Sequence, residues 1–86
     1  MTTRDRITDQ LEDALFLEPA TFDEAIIGIA ERGTSVAVVC YDRTRCIDIL
    51  ARDMPREDAE EFFEFNVLGS WVGDMTPVFV DMRPAE

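Results

Sequence analysis

The run Val36-Ala37-Val38-Val39-Cys40 constrains this chain more than any other stretch. Five apolar residues in succession, three of them β-branched, leave no polar face for water. Such a run predicts a buried central strand rather than a half-exposed one. The chain around it has 86 residues. That length makes one domain, able to bury roughly 60–65% of the surface its unfolded form exposes, which is enough for one modest core.

The segments on either side supply the covering elements. Residues 4–16 predict an amphipathic helix, because Ile7, Leu11, Ala14 and Leu15 recur at helical spacing among Asp9, Glu12 and Asp13. Pro19 stops any extension, and Leu15-Phe16-Leu17 forms a dense apolar exit expected to dock on the core. Residues 22–32 are open to two readings. Thr21 and Glu24 have capping-box spacing, Gly33 could close a helix, and Phe22, Ala25, Ile26 and Ile29 fit a helical face. Against this, Ile26, Ile27 and Ile29 are β-branched and Gly28 interrupts them. A strand Ala25–Ala30 turning through residues 32–35 into the apolar run would make an antiparallel hairpin.

Asp42 is a natural N-cap for a helix at 43–53, with Cys46, Ile47, Leu50, Ala51 and Met54 inward. Arg45, Asp48 and Arg52 lie on its outer face at ion-pair spacing. Pro55 marks the start of a second helix over 56–68, whose apolar side is Ala59, Phe62, Phe63 and Val67. Gly69 and Gly73 loosen the chain, and the pair is read as helix termination and close backbone approach. Pro77-Val78-Phe79-Val80 then reads as a last short strand. The fold class is α+β, a small antiparallel or mixed sheet of two to three short strands packed against about three helices. One domain covers residues 1–86, with the N-terminal helix at about 4–16 and the α+β core at about 22–80.

Composition removes whole chemistries. There is no His, and all eight basic residues are Arg. The usual general base near pH 7 and the commonest metal ligand are therefore missing, as are Schiff-base and phosphate-cradling lysines. Ser35 and Ser70 sit in no nucleophile elbow. Cys40 and Cys46 cannot build a structural zinc site without His partners. They are expected buried and reduced, Cys40 on a strand and Cys46 on a helix. No catalytic residue, metal or cofactor is expected.

The net charge is −11. Residues 1–24 contribute −5 and residues 54–86 contribute −6, while the middle of the chain balances. A field of this sign repels nucleic acid and anionic lipid and attracts a basic partner. No stretch approaches a membrane span, and the first residues lack an apolar signal core, so a cytoplasmic setting is expected.

Tyr41-Asp42, Cys46-Ile47-Asp48-Ile49-Leu50 and the spacing F-x-F-N-x-x-G-x-x-x-G-x-x-T-P over Phe63–Pro77 form one pattern. It resembles a family of small, uncharacterised bacteriophage and prophage proteins across about residues 22–80, most densely 41–80. The resemblance implies a phage or prophage origin and the cytoplasm of a bacterial host. It favours strand over helix at 22–32. The family carries no established activity, so no catalytic residue follows from it, and the N-terminal helix lies outside it.

Three features are candidates for function. Asn66 falls within the apolar side of the 56–68 helix, where a buried amide must have its hydrogen bonds met. It is expected to clamp the helix to backbone, near Gly73-Asp74; the functional alternative is a polar group at the base of a pocket. Trp71, between two glycines, is either a core lid or an interface anchor. Glu57, Glu60, Glu61 and Glu64 share one helical face, which serves either as a solvated face or as a docking surface for a basic host or phage protein. Convergence of Asp42, Asp48 and Asp81 on a divalent metal is the weakest alternative. The expected role is stoichiometric binding, with inhibitory or anti-defence action among the roles such a binder fills. The alternatives are a self-associating module pairing through Val78–Val80 and a metal-dependent, carboxylate-only hydrolase.

Overall fold

A computed structural model of the chain describes residues 3–11, 14–32, 36–69 and 73–82. The elements run helix α1 (Thr3–Gln10), a 3₁₀ helix (Ala20–Ala25), strands β1 (Ile26–Arg32) and β2 (Val36–Asp42), helices α2 (Arg43–Leu50) and α3 (Arg56–Phe62), a π-helical continuation of α3 (Phe63–Leu68), and strand β3 (Val78–Val80). This is a small α+β fold with a three-stranded mixed sheet.

The apolar run is the middle strand. β2 pairs antiparallel with β1 and parallel with β3. Its residues Val38, Val39, Cys40 and Tyr41 are all buried, so both faces of the sheet are covered there. Residues 26–32 form the hairpin strand, and the Thr21–Glu24 capping box is not used; a 3₁₀ turn without a side-chain cap occupies that segment. Its proposed turn at 33–35 lies outside the described residues. A register irregularity between Ile26 and Gly28 accommodates the β-branched cluster. Ile26 pairs with Tyr41 and Ile29 with Val39, so both isoleucines reach the core face, while Ile27 is exposed.

The core lies between this face and the helices. Val39 and Tyr41 meet Phe22, Ala25, Cys46, Ile47, Ile49, Ala59 and Phe63, and Ile7 of α1 joins them. Phe79 of β3 stacks on Tyr41 at 5.9 Å between ring centroids and meets Phe63 edge-on at 5.0 Å. Each such pair contributes about 0.5–1.5 kcal/mol beyond area burial. Asp42 caps α2 as its position predicts, its carboxylate accepting from the Arg45 amide at 3.2 Å. Both cysteines are free and buried, and burial pushes the Cys46 thiol up to about 12.

The N-terminal helix is shorter than its periodicity predicts, ending at Gln10 instead of residue 16. Beyond it, Phe16 and Leu17 pack on the core and Leu15 stays partly exposed. The docking is made by backbone as well as side chain. The Leu17 amide donates to the Tyr41 hydroxyl at 2.9 Å, and the Arg4 guanidinium lies 4.5 Å from the centre of the Phe16 ring. A helical Leu17 amide would be taken up inside its own helix, so this tertiary bond competes with helix extension.

Two glycines have a steric reason to be there. A side chain at Gly69 would sit 3.3 Å from the carbonyl oxygens of Glu64 and Phe65, at the mouth of the last helical turn. Gly73 has φ of +107°, a conformation that side-chain-bearing residues rarely adopt. Its carbonyl accepts from both the amide and the hydroxyl of Thr76, which sets the chain into β3.

Candidate docking surface

The 56–68 helix starts at Pro55, which costs it nothing because the first amides of a helix have no internal partner. It packs inward through Ala59 and Phe63, both fully buried, and through Val67. From Phe63 onward the turn widens to the π form. A π turn holds more residues than an α turn, so side chains after Phe63 rotate away from where a 3.6-residue wheel places them. One sequence expectation changes along this turn and a second just before it. Asn66 is exposed, not buried on the apolar side. Phe62 also turns out of the core, with 42% of its surface exposed.

The outward side therefore carries aromatics as well as acids. Phe65 is 74% exposed and Leu68 is 48% exposed. Asp58, Glu61, Phe62, Phe65 and Asn66 line one open hollow of about 400 Å³. Asn66 thus lines the hollow from an exposed position instead of a buried one. The triplet Phe62-Phe63-x-Phe65 contained the signal for the exposed rings: three phenylalanines within four helical positions cannot all face one core.

The four predicted glutamates are all exposed, but they are not equivalent. Glu64 pairs with Arg43 at 3.1 Å, and that guanidinium also lies 5.3 Å from the centre of the Phe63 ring. Glu60 pairs with Arg56 at 3.6 Å. Glu57, Asp58 and Glu61 make no ion pair among the described residues. The free negative charge thus concentrates in the first half of the helix, and the exposed apolar side chains in the second.

Trp71 lies outside the described residues. The outer face of α2 does not form the internal ion pairs its spacing allows. Arg52 reaches Glu24 at 2.8 Å, and Asp48 pairs with Arg56. With Asp42 capping α2 and Asp48 so engaged, no group of three or more Cys, Asp or Glu placed to hold a metal occurs among the described residues. A second hollow, about 300 Å³ and mostly apolar, lies between Leu15–Glu18, Val67 and the entry to β3. No helix among the described residues is long and apolar enough to cross a membrane. No protein-family model matches the chain, and no curated protein or solved structure matches it either.

Proposed function

We propose that this protein acts by stoichiometric binding to a basic protein, through the outer side of its 56–68 helix. The observation that carries the reading is the exposure of Phe62 and Phe65 beside Asp58 and Glu61, carboxylates with no ion pair among the described residues. Large exposed aromatics supply the area-dependent part of an interface, and like-signed charge steers and orients an oppositely charged partner. The remaining surface charge is also strongly negative, which disfavours nucleic acid as the partner. On the resemblance to phage and prophage proteins, we propose the cytoplasm of a bacterial host as its setting. Inhibition of a host enzyme or defence factor is the form of action such a setting favours.

A second reading is self-association. β3 is an edge strand, and Val80 and Met82 beside it are exposed. Affinity purification from an infected or lysogenic host discriminates the two. Recovery of one basic protein by the native chain, lost with Glu57→Arg/Glu61→Arg and weakened by salt, supports the binder. Equal recovery by both chains removes the acidic helix from the mechanism, and recovery of the chain itself as an oligomer favours the second reading.

A further inference from the structure

The second hollow, about 300 Å³ between the 15–18 segment and the entry to β3, lies apart from the docking surface. The 56–68 helix contributes Val67 to it, from the inner side, and the two hollows share no lining residue. We propose that this second hollow binds a small amphiphilic amine, an aromatic or aliphatic body carrying one ammonium group. Its volume falls at the lower end of the range for small-ligand sites, about 300–1,000 Å³. Leu15, Phe16, Leu17, Val67, Pro77 and Phe79 make its lining mostly apolar. That lining grades from Thr76 and Pro77, which are buried, to Leu15 and Glu18, which are exposed, so the hollow has a floor and a mouth.

The walls are tied in place by the fold itself. The Leu17 amide donates to the Tyr41 hydroxyl at 2.9 Å, and the Arg4 guanidinium lies over the Phe16 ring. Phe79 stacks on Tyr41 and meets Phe63 edge-on. Thr76 donates twice to the Gly73 carbonyl, through its amide and its hydroxyl. A ligand entering between such walls orders little of the protein, which removes part of the cost of binding. Its apolar body displaces water from the lining, and this is the main driving force.

The polar groups select the head of the ligand. Glu18 makes no ion pair among the described residues, and an ionised carboxylate only accepts hydrogen bonds. The Thr76 hydroxyl spends its proton on Gly73 at 2.6 Å, so it too serves a ligand as an acceptor. Both call for a donor, and the carboxylate calls for a positive one. An ammonium group at the mouth meets Glu18 while keeping part of its hydration, so it escapes the full cost of burying a charge. No Arg is among the described residues that line the hollow, and Arg4, on the Phe16 ring, already pairs with Asp23 at 3.4 Å. A fatty acid or aryl carboxylate would instead set its charge against Glu18, on a chain of net charge −11.

The test uses probes that share one body and differ in the head: phenylbutylamine, phenylbutanol and phenylbutanoate. Each is titrated into the full chain at physiological salt while the methyl resonances are followed by NMR. The amine is expected to shift the methyls of Leu15, Leu17, Val67 and Thr76, with a Kd on the order of 1 mM for a probe of this size. The alcohol is expected to shift the same methyls with about threefold weaker affinity, the fold-change an exposed ion pair supplies, and the carboxylate to bind more weakly still. Glu18→Gln is expected to bring the amine down to the alcohol; the side chain is exposed, and a thermal melt verifies the fold. Equal affinities of the probes, or an amine preference that survives Glu18→Gln, overturn the assigned ligand class. Shifts spread over the acidic surface with those four methyls unmoved overturn the site, because net charge alone would then draw the amine. No shift with any probe at about 10 mM overturns it as well. So do shifts of the same methyls on raising the protein concentration without a probe, since the occupant would then be a second copy.

Discussion

Phe63 and Phe65 stand two residues apart on one helix. The first is fully buried, between Phe79 and the Arg43 guanidinium, and the second is 74% exposed. The two sides of the 56–68 helix thus spend identical chemistry differently. The inner side holds Ala59, Phe63 and Val67 against the sheet, and its aromatic ring is fixed by neighbours on β3 and α2. Beyond it, Phe62, Phe65 and Leu68 are 42%, 74% and 48% exposed. Apolar area covered by the fold stabilises it; apolar area left open stabilises only a complex. The comparison therefore divides one short helix into a side covered by the fold and a side left open.

The sharpest way to break that comparison is Phe63→Ala. The ring is fully buried and meets Phe79 edge-on, so its removal is expected to destabilise the fold by about 3–5 kcal/mol, read from chemical denaturation. A loss below about 1 kcal/mol would mean that the inner side is not a core. Alkaline titration is expected to have the next largest effect, because it attacks the same core. Burial pushes Tyr41 from 10.0 and Cys46 from 9.0 up to about 12. The neutral forms are thus favoured in the folded chain. Their contribution is complete below about pH 9 and is lost as pH rises toward 12. The denaturation midpoint should fall over that window, and Cys46→Ala should delay the start of the fall; a flat profile from pH 9 to 12 would contradict the burial of both groups.

A smaller effect is expected at the junction of sheet and helix. Asp42→Ala removes the cap on the Arg45 amide and is expected to cost about 1 kcal/mol, with Asp42→Asn recovering most of it. The smallest effect is expected on the outer side. Phe65→Ser should leave stability within about 0.5 kcal/mol of the native chain. A larger destabilisation would show that Phe65 belongs to the fold after all and would collapse the distinction between the two sides.

The elements that could be read from the residues are those whose signals are local. Asp42 before a helical pattern, Pro55 before another and the unbroken apolar run of β2 each act over a few positions, and each appears where its chemistry puts it. The β-branched residues near Gly28 favoured a strand for a local reason as well, and the chain forms one. Where the reading failed, the cause lies elsewhere in the fold. α1 ends early where downstream residues dock, including the Leu17 amide that Tyr41 engages from 24 residues away. The helix widens from Phe63 onward, so a wheel drawn at 3.6 residues per turn set Asn66 inward; Phe62, still in the α-helical part, is half-exposed while its neighbour Phe63 is buried. The acidic stripe was visible in the sequence. The Arg56–Glu60 pair also follows from its spacing of four on one helix, whereas the Arg43–Glu64 pair does not, because Arg43 belongs to a different helix.

The mixed pairing of β2 has a consequence in time. Its two neighbours reach it over very different stretches of chain: Ile29 and Val39 are ten residues apart, Tyr41 and Phe79 thirty-eight. Closing the longer loop orders far more chain before any contact rewards it. Only three residues of β3 take part in the ladder, so its grip on β2 is the shorter of the two. Amide protons in β3 are therefore expected to exchange through a partial opening that leaves the β1–β2 hairpin intact. Such an opening would lift Phe79 away from Tyr41 and Phe63 together and lay bare the edge of the middle strand. The sheet in this picture works as a latch, with the hairpin as the fixed plate and β3 as the bolt.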